Sequence, residues 1–253
     1  MSATLAPAQL PIPGTSTRRD WKGALVALRR LLANGDDTVQ VFRIMRALNA
    51  DTAARNYRKL LTLPGGGRIA YRRTELAELF SNPAYIAAFK PGTVGAAYRD
   101  FLNRTGYSAM GLAQVSMADN VPHDAEHPHA WFGRRERDIH DIWHVLTGYQ
   151  ADEPLGEACL VAFSYAQTRG LGWAAIAIGA SLKARRVTGR WTFARAVIEG
   201  YRHGKRAAWL SAEDYEQLMH EPIHQARQRL GLRQPVKYRQ AQAELAEMGK
   251  TGL

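Results

Sequence analysis

Cysteine is almost absent from this sequence, since Cys159 is the only one in 253 residues. A single thiol excludes a disulfide framework and a cysteine-rich zinc fold, so any metal site must use histidine, aspartate and glutamate. Long apolar runs are also absent. The most apolar stretch, residues 171–182, falls short of the roughly 18–20 residues that a membrane-spanning helix needs.

Acidic side chains are scarce relative to basic ones, 23 against 34, which gives a formal charge of +11. A charge of this size is compatible with nucleic-acid binding. However, the sequence contains no zinc-finger or helix-turn-helix pattern, so we predict no nucleic-acid partner. The 46% of hydrophobic residues are enough to build a sizeable core, which excludes disorder over most of the chain.

The charge is distributed unevenly along the chain. Residues 119–157 hold nine carboxylates, three arginines and five of the eight histidines. Residues 158–211 hold nine basic side chains against one glutamate. An acidic, histidine-rich segment is therefore followed directly by a basic one.

Apolar residues recur at helical spacing over most of the chain, whereas strand-like alternation is scarce. The pattern predicts an all-α protein with a single multi-helix domain over residues 21–232. Residues 1–20 are expected to form a flexible arm, and residues 233–253 a polar, loosely held tail. The predicted helices cover residues 21–33, 38–49, 52–63, 74–79, 83–89, 94–105, 131–149, 155–168, 173–185, 192–205 and 212–230.

A metal-binding pattern lies in the predicted helix over residues 131–149. On a helix, Arg137, His140, Asp141 and His144 fall on one sector about 100° wide, separate from the apolar stripe. His140 and His144 are one turn apart, the spacing at which two imidazoles can reach one ion. Asp141 lies at the edge of this sector and could add a carboxylate oxygen. The alternative, a pair of histidines on a helix flank without an ion, stays open.

The next helix supplies a further candidate ligand, Glu157. It is the only charged residue in a run that is apolar nearly all round, residues 155–168. A buried lone carboxylate is costly unless it is paired or binds a cation. The alternative is an ordinary first-turn carboxylate that caps the helix or faces water.

Two other families of metal sites fit less well. Zincin proteases need His-Glu-x-x-His with glutamate as the base, and here the residue after His140 is Asp141. A His-Asp phosphohydrolase would need another upstream histidine on a helix. The three candidates, His123, His127 and His129, fall in a proline-bearing segment that we interpret as an exposed loop.

The sequence His140-Asp141-Ile142-Trp143-His144, followed by Leu155-Gly156-Glu157, resembles the His-Asp-x-x-His…Glu signature of the coenzyme Q biosynthesis protein 4 family. Similar blocks occur at residues 91–102, at Arg137-Asp138 and at residues 201–232, so the resemblance covers roughly residues 39–232. One departure is that twelve residues, instead of the usual eleven, separate His144 from Glu157. The extra residue falls in the turn before the second helix.

The resemblance implies an all-α fold, a divalent metal, with zinc the expected ion, and a role in ubiquinone assembly at the membrane surface. The ligands carried over by it are His140, Asp141, His144 and Glu157. It further implies removal of the ring carboxylate of a prenylated hydroxybenzoate and contacts with other enzymes of the pathway. A homodimer is a further expected assembly. The expected location is the cytoplasmic side of a bacterial inner membrane, or the matrix side of the mitochondrial one in a eukaryote.

On this basis the metal is hypothesised to act as a Lewis acid during decarboxylation, with Arg137 holding the substrate carboxylate. An ordinary ion pair between Arg137 and a neighbouring acid is the alternative. For the prenyl tail and the membrane surface, the candidate residues are Trp173, Ile176, Ile178, Leu182, Lys183, Arg185 and Arg186. A helix stripe of this kind also occurs in ordinary cores.

A rival hypothesis from a different class is a non-catalytic scaffold that binds a prenylated lipid and partner enzymes. Four protein ligands would fill a tetrahedral zinc site and leave no open position, which is typical of a structural metal. The sequence does not separate the two hypotheses.

Overall fold

The computed structural model describes residues 18–117, 119 and 126–253. It contains helices joined by short connections. Their bounds are α1 Trp21–Ala33, α2 Thr38–Leu48, α3 Thr52–Leu61, α4 Gly66–Arg72, α5 Leu76–Ser81, α6 Pro83–Ala87, α7 Val94–Thr105, α8 Gly111–Ser116, α9 Pro128–Asp138, α10 His140–Thr147, α11 Pro154–Thr168, α12 Leu171–Thr188, α13 Thr192–Arg206, α14 Tyr215–Leu218, α15 Ile223–Arg229 and α16 Val236–Glu247, with a 3-10 turn at Leu210–Ala212.

The all-α prediction is confirmed, because the described part of the chain contains no strand. Its one β-type contact is an isolated bridge between Thr93 and Pro222. Most of the predicted N-terminal arm, residues 1–17, lies outside the described residues. Among the described helices, none combines the length and the hydropathy needed to cross a membrane.

Helix α11 is the central helix of the molecule. Pro154 occupies its first turn, where a missing N–H costs nothing, and Arg169 ends it in the left-handed conformation at a φ of 62°. Nearly every side chain between these residues is buried. A helix that is buried all round cannot rotate or slide without disturbing the core, so it holds Glu157 in a fixed position.

Helix α13 packs closely against α11 because it carries Gly200 and Gly204. A Cβ atom at Gly200 would lie 2.4 Å from the carbonyl oxygen of Cys159. At Gly204 it would lie 2.6 Å from the carbonyl oxygen of Phe163. Only glycine allows the two backbones to approach this closely.

The region predicted as one helix over residues 131–149 is two helices, α9 and α10. They meet at Ile139, whose φ of −88° and ψ of −3° depart from the helical values. Next to it, the Asp138 carboxylate accepts a hydrogen bond from the backbone N–H of Ala77 at 3.3 Å. The break falls between Arg137 and His140, so these residues are not on one continuous helix as predicted.

Several short or polar helices were not predicted. Helix α4 begins within the glycine run at residues 65–67, and α8 falls in a stretch to which no helix was assigned. The predicted helix over residues 212–230 is interrupted before Pro222. The predicted polar tail contains α16, which packs against α13 and buries Tyr238 and Ala241.

Candidate metal centre

Three of the predicted ligands come together between α10 and α11. His140 and His144 lie one turn apart on α10, and Glu157 lies in the first turn of α11. One ligand atom from each side chain lies within 4.8 Å of the others. Among the described residues, this is the group whose donor atoms converge in the way a divalent metal ion requires.

The ring of His144 is held in one orientation by the backbone. Gly148 follows the last residue of α10 and adopts a φ of 80°. It turns the chain back, so that the carbonyl oxygen of Tyr149 faces His144. His144 Nδ1 donates a hydrogen bond to this oxygen, at 2.9 Å. Because a carbonyl only accepts, the proton is on Nδ1 and the lone pair of a neutral ring is on Nε2.

His144 Nε2 has no hydrogen-bond partner within the described structure, although it is buried. Glu157 Oε1 lies 3.2 Å away but out of line for a hydrogen bond. A buried nitrogen lone pair beside a carboxylate oxygen is an unfavourable arrangement by itself, and a positive charge between them, either a proton on Nε2 or a metal cation, removes the conflict. The residues present therefore fit a divalent metal ion.

The charges at this site are coupled. Burial by itself lowers the pKa of His144, but the carboxylates of Glu157 and Asp141 outweigh burial and raise this pKa above its ordinary value. Burial raises the pKa of Glu157, but His144 and His140 outweigh it and lower this pKa below its ordinary value. Glu157 is thus an ionised ligand at neutral pH.

Asp141, the fourth predicted ligand, is outside the group of three. Its Oδ1 lies 3.4 Å from Nδ1 of His140, a typical position for a carboxylate that orients a metal-binding histidine. With Nδ1 beside Asp141, Nε2 is the nitrogen of His140 that is left for an ion. The indole of Trp173 stacks on the same imidazole, with ring centroids 5.9 Å apart and planes 13° apart.

Glu157 reaches the site despite the twelve-residue spacing. Gly156 packs so closely on the preceding turn that a Cβ atom there would lie 2.0 Å from the carbonyl oxygen of Gln150. This contact holds the start of α11 against the connection that follows α10, residues 148–153, and Glu157 lies within reach of His144.

His140 and Glu157 line a cleft of about 1940 Å³ between α2, α9, α10, α11 and α12, and His144 is buried next to them and does not line it. Of the predicted lipid-binding residues, Trp173, Ile176 and Lys183 line this cleft. Ile178 and Leu182 do not line it and are exposed. The predicted stripe is therefore split between the cleft wall and the surface.

The basic residues after this stripe also lie at the surface. Arg186 is exposed, and the guanidinium of Arg185 lies over the ring of Trp191, 5.2 Å from its centroid. On the neighbouring helix α1, Trp21 and Leu25 are exposed apolar residues. This part of the surface thus combines apolar and basic side chains.

Arg137 lines the cleft, but it is already paired. Its Nε donates to Asp138 Oδ1 at 2.7 Å, and Nη1 donates to Ser116 Oγ at 2.8 Å. The ordinary ion pair considered as the alternative thus exists. Each terminal nitrogen still has an N–H group to offer, since a guanidinium carries five.

Of the upstream histidines, His127 and His129 do not belong to the group. His123 lies outside the described residues, and His127 and His129 are half-buried, with ring centroids 4.6 Å apart. Helix α9 begins at Pro128, so the expectation that both lie in an exposed loop is wrong. The proline that suggested a loop is a first-turn residue of this helix.

Comparison with known proteins identifies the family. The sequence model of the family described as "Coenzyme Q (ubiquinone) biosynthesis protein Coq4" matches residues 32–236. The chain belongs to this family. The match covers the range over which the resemblance was recognised and includes His140, Asp141, His144 and Glu157.

Relatives support the assignment at moderate identity. A protein from Podospora anserina named ubiquinone biosynthesis protein COQ4, mitochondrial, is 28% identical over 199 residues, which are 76% of this chain and 61% of the relative. One from Aspergillus niger with the same description is 25% identical over 221 residues, 86% of this chain and 70% of the relative. The chain thus spans less than two thirds of the length of the Podospora protein.

A solved structure has the same fold. The crystal structure of a candidate ubiquinone biosynthesis protein from Nostoc punctiforme superposes with a TM-score of 0.62 and covers 84% of this chain and 98% of that chain. The sequence identity is 22%. At this identity the comparison supports the helical architecture alone.

Proposed function

We propose that this chain acts in ubiquinone biosynthesis as a metal-dependent decarboxylase of a prenylated hydroxybenzoate. The observation that carries the proposal is the convergence of His140, His144 and Glu157 on one point, beside a large cleft that His140 and Glu157 line. Three protein ligands leave a tetrahedral zinc ion one position for a substrate oxygen, as in catalytic zinc sites. The names of the relatives place those proteins in the same pathway.

A divalent ion, with zinc as the proposed one, would supply Lewis-acid stabilisation of negative charge on a substrate oxygen when the ring loses its carboxylate. The carbonyl oxygen of Tyr149 binds Nδ1 of His144 and so leaves Nε2 for the ion, and Asp141 orients the ring of His140. Arg137, held by Asp138 and Ser116, directs its remaining N–H groups to the substrate carboxylate. These residues therefore position charge before the substrate arrives, which lowers the cost of reorganisation.

The prenyl tail would lie along the apolar wall of the cleft formed by α2 and α12. Val41 and Met45 face the cleft from α2, and Trp173 and Ile176 face it from α12. Because a long tail cannot enter from water without large cost, the opening would lie at a membrane. The exposed Ile178 and Leu182, beside Arg185 and Arg186, are the surface that we propose for docking on an anionic bilayer.

The proposed location follows from this surface. The two relatives above carry the word mitochondrial in their names. For this chain we propose peripheral association with the membrane where ubiquinone is made, on the matrix side in a eukaryote and on the cytoplasmic side in a bacterium. Other enzymes of the pathway and a second copy of the chain are the proposed protein partners.

The test is release of carbon dioxide. The purified protein is incubated, with zinc and after chelation, with a prenylated hydroxybenzoate whose carboxylate is isotopically labelled. We expect release that requires the metal and is abolished by His144→Ala, whereas His129→Ala, which changes a histidine of α9 outside the group, retains it. Release that survives His144→Ala would contradict the metal mechanism.

The scaffold hypothesis remains the second candidate, favoured by the burial of His144 and by family names that state no reaction. It differs in what the metal does. A structural metal would raise the thermal stability of the protein without any release of carbon dioxide by the intact, zinc-loaded chain. That combination of results would replace the decarboxylase by the scaffold.

A further inference from the structure

Two further polar side chains that are not among the candidate ligands line the cleft. Glu136 is on α9, four residues before His140, and Ser164 is on α11, seven residues after Glu157. Both line the same cleft. Seven residues of helix correspond to about 10 Å, so Ser164 lies well beyond the reach of an ion at the three ligands.

Glu136 is held in place by one of its two oxygens. Its Oε1 accepts hydrogen bonds from Asn56 Nδ2 at 3.0 Å and from Ser211 Oγ at 3.2 Å. Asn56 Nδ2 also donates to the carbonyl oxygen of Thr168 at 3.0 Å, which ties α3 to α9 and α11. Both hydrogen bonds to the carboxyl group end on Oε1, so Oε2 is left for a ligand.

The side chain of Ser164 also has a polar atom without a partner among the described residues. The residue is 1% exposed, and its Oγ has no hydrogen-bond partner among the described residues. Its carbonyl oxygen, in contrast, accepts from Thr168 Oγ1 at 2.9 Å. An unpaired buried hydroxyl is unfavourable in a native core, which indicates that the partner of Ser164 Oγ comes from outside the described residues, as a ligand in the cleft would.

We propose that Glu136 and Ser164 form a subsite that binds a ring hydroxyl of the aromatic substrate. A phenolic hydroxyl both donates and accepts a hydrogen bond. It would donate to Glu136 Oε2 and accept from Ser164 Oγ, and so satisfy both groups. A benzoate ring whose carboxylate points to the metal centre places a para hydroxyl at its opposite end, further along α11. The inference rests on the proposed function for the substrate class.

The test compares two ligands that differ only in the hydroxyl, a 4-hydroxybenzoate with a short 3-prenyl chain and the matching 3-prenylbenzoate. Their affinities are measured by calorimetry on the zinc-loaded full chain at a pH above 7, where the Glu136 carboxyl group, with a pKa of about 7, is ionised and accepts hydrogen bonds. We expect the native protein to bind the hydroxylated ligand about tenfold more tightly, the magnitude of a well-formed hydrogen-bond pair. Ser164→Ala should weaken binding of this ligand and leave the affinity for the other unchanged.

Two further variants make the test specific. Glu136→Gln keeps an Oε1 acceptor for Asn56 and Ser211 but replaces Oε2 by an amide NH2 group. This group cannot accept a hydrogen bond from the phenol, so the variant should also show a reduced preference for the hydroxylated ligand. Ser181→Ala is the matched control, since Ser181 is on α12 and its hydroxyl bonds to the carbonyl oxygen of Ala177. It should retain the full preference.

The outcomes separate this inference from the proposed reaction. A hydroxyl preference that Ser164→Ala abolishes supports the subsite even if the protein releases no carbon dioxide. Equal affinity of the native protein for the two ligands, or no binding of either, overturns the subsite whatever the turnover. Equal losses for both ligands in Ser164→Ala also overturn it, because they indicate a general loss of structure.

Discussion

At the scale of single residues, Glu136 links the stability of the protein to pH. Burial raises the pKa of this carboxyl group from its ordinary 4.5 to about 7, against the opposing hydrogen bonds from Asn56 and Ser211. Between these two pH values the unfolded chain has lost the proton while the folded chain keeps it. The free energy of unfolding contributed by Glu136 therefore falls as the pH rises through this window.

We expect Glu136→Gln to remove this dependence. The difference between the pKa of Glu136 in the unfolded chain and in the folded chain corresponds to about 3 kcal/mol. As the pH rises from about 4.5 to 7, the free energy of unfolding of the variant should therefore increase by up to this amount relative to the native protein, with no further increase above pH 7. Urea unfolding of both proteins across this range measures the difference. A difference that stays constant with pH would contradict the assigned pKa.

Gly156 determines where Glu157 points. Gly156→Ala would place a methyl group against the backbone of Gln150 and push the start of α11 away from α10. We expect a zinc affinity that is lower by about 10–100-fold, as for other changes that misplace a ligand. Competition with a chromophoric chelator measures it.

The control for this prediction is Gly111→Ala, where the nearest atom to a Cβ, Ser108 Oγ, is 3.6 Å away. That variant should bind zinc normally. Native affinity in Gly156→Ala would show that the contact with Gln150 does not position Glu157.

The sequence alone suggests His140, His144 and Glu157 as candidate ligands, but it does not indicate what surrounds them. The one-turn spacing of His140 and His144 is a local property of a helix. The stacking of Trp173 on His140 and the unpaired hydroxyl of Ser164 depend on how α12 and α11 pack, which no local pattern specifies. Glu136 precedes the break at Ile139, so the sequence carries no local signal that places it in the same cleft as His140.

At the scale of elements, the contact between α11 and α13 is expected to dominate stability. Gly200→Ala would put a methyl group 2.4 Å from the carbonyl oxygen of Cys159, which is backbone and cannot move alone. We expect a loss of about 1–3 kcal/mol in the free energy of unfolding, as in overpacked cores. Denaturant unfolding measures the loss.

The matched control is Gly67→Ala on α4, because a Cβ atom at Gly67 would meet nothing within 4 Å. This variant should be as stable as the native protein or slightly more stable. If Gly200→Ala were equally stable, the close packing of the two helices would not be essential to the fold.

Helices with an apolar face or a clear end signal were predicted, including the short α5 and α6, whereas α4, α8 and α16 were not. Helices α1 and α7 have their predicted bounds, since each carries a clear apolar face and an end signal. The break at Ile139 has no such signal, because it depends on a tertiary hydrogen bond between Asp138 and Ala77. Helix α16 has a weak apolar face, and its burial depends on α13 as a partner.

At the scale of the whole molecule, the charge of +11 separates into an acidic segment, residues 119–157, that contains the candidate ligands and a basic segment after it. If the surface around Arg186 docks on a bilayer, Arg186→Gln should lower partitioning onto vesicles containing an anionic lipid by about fivefold, the effect of about 1 kcal/mol per basic residue. Arg58→Gln, which removes an exposed arginine of α3, is the control of equal charge. Vesicle sedimentation measures both.

Equal effects of the two substitutions would indicate attraction by net charge alone. No dependence on anionic lipid for the native protein would contradict docking by this surface. Either result would exclude the surface around Arg186 as the specific docking site.

The most direct test of whether His140, His144 and Glu157 bind a divalent ion is the metal content of the purified protein. We expect elemental analysis to find one divalent ion per chain in the purified native protein. The ion should be lost in His144→Ala, whereas the helical circular dichroism signal should be retained. His129→Ala should keep the ion. A native protein that binds no ion when supplied with zinc, or a His144→Ala variant that retains it, would contradict the account.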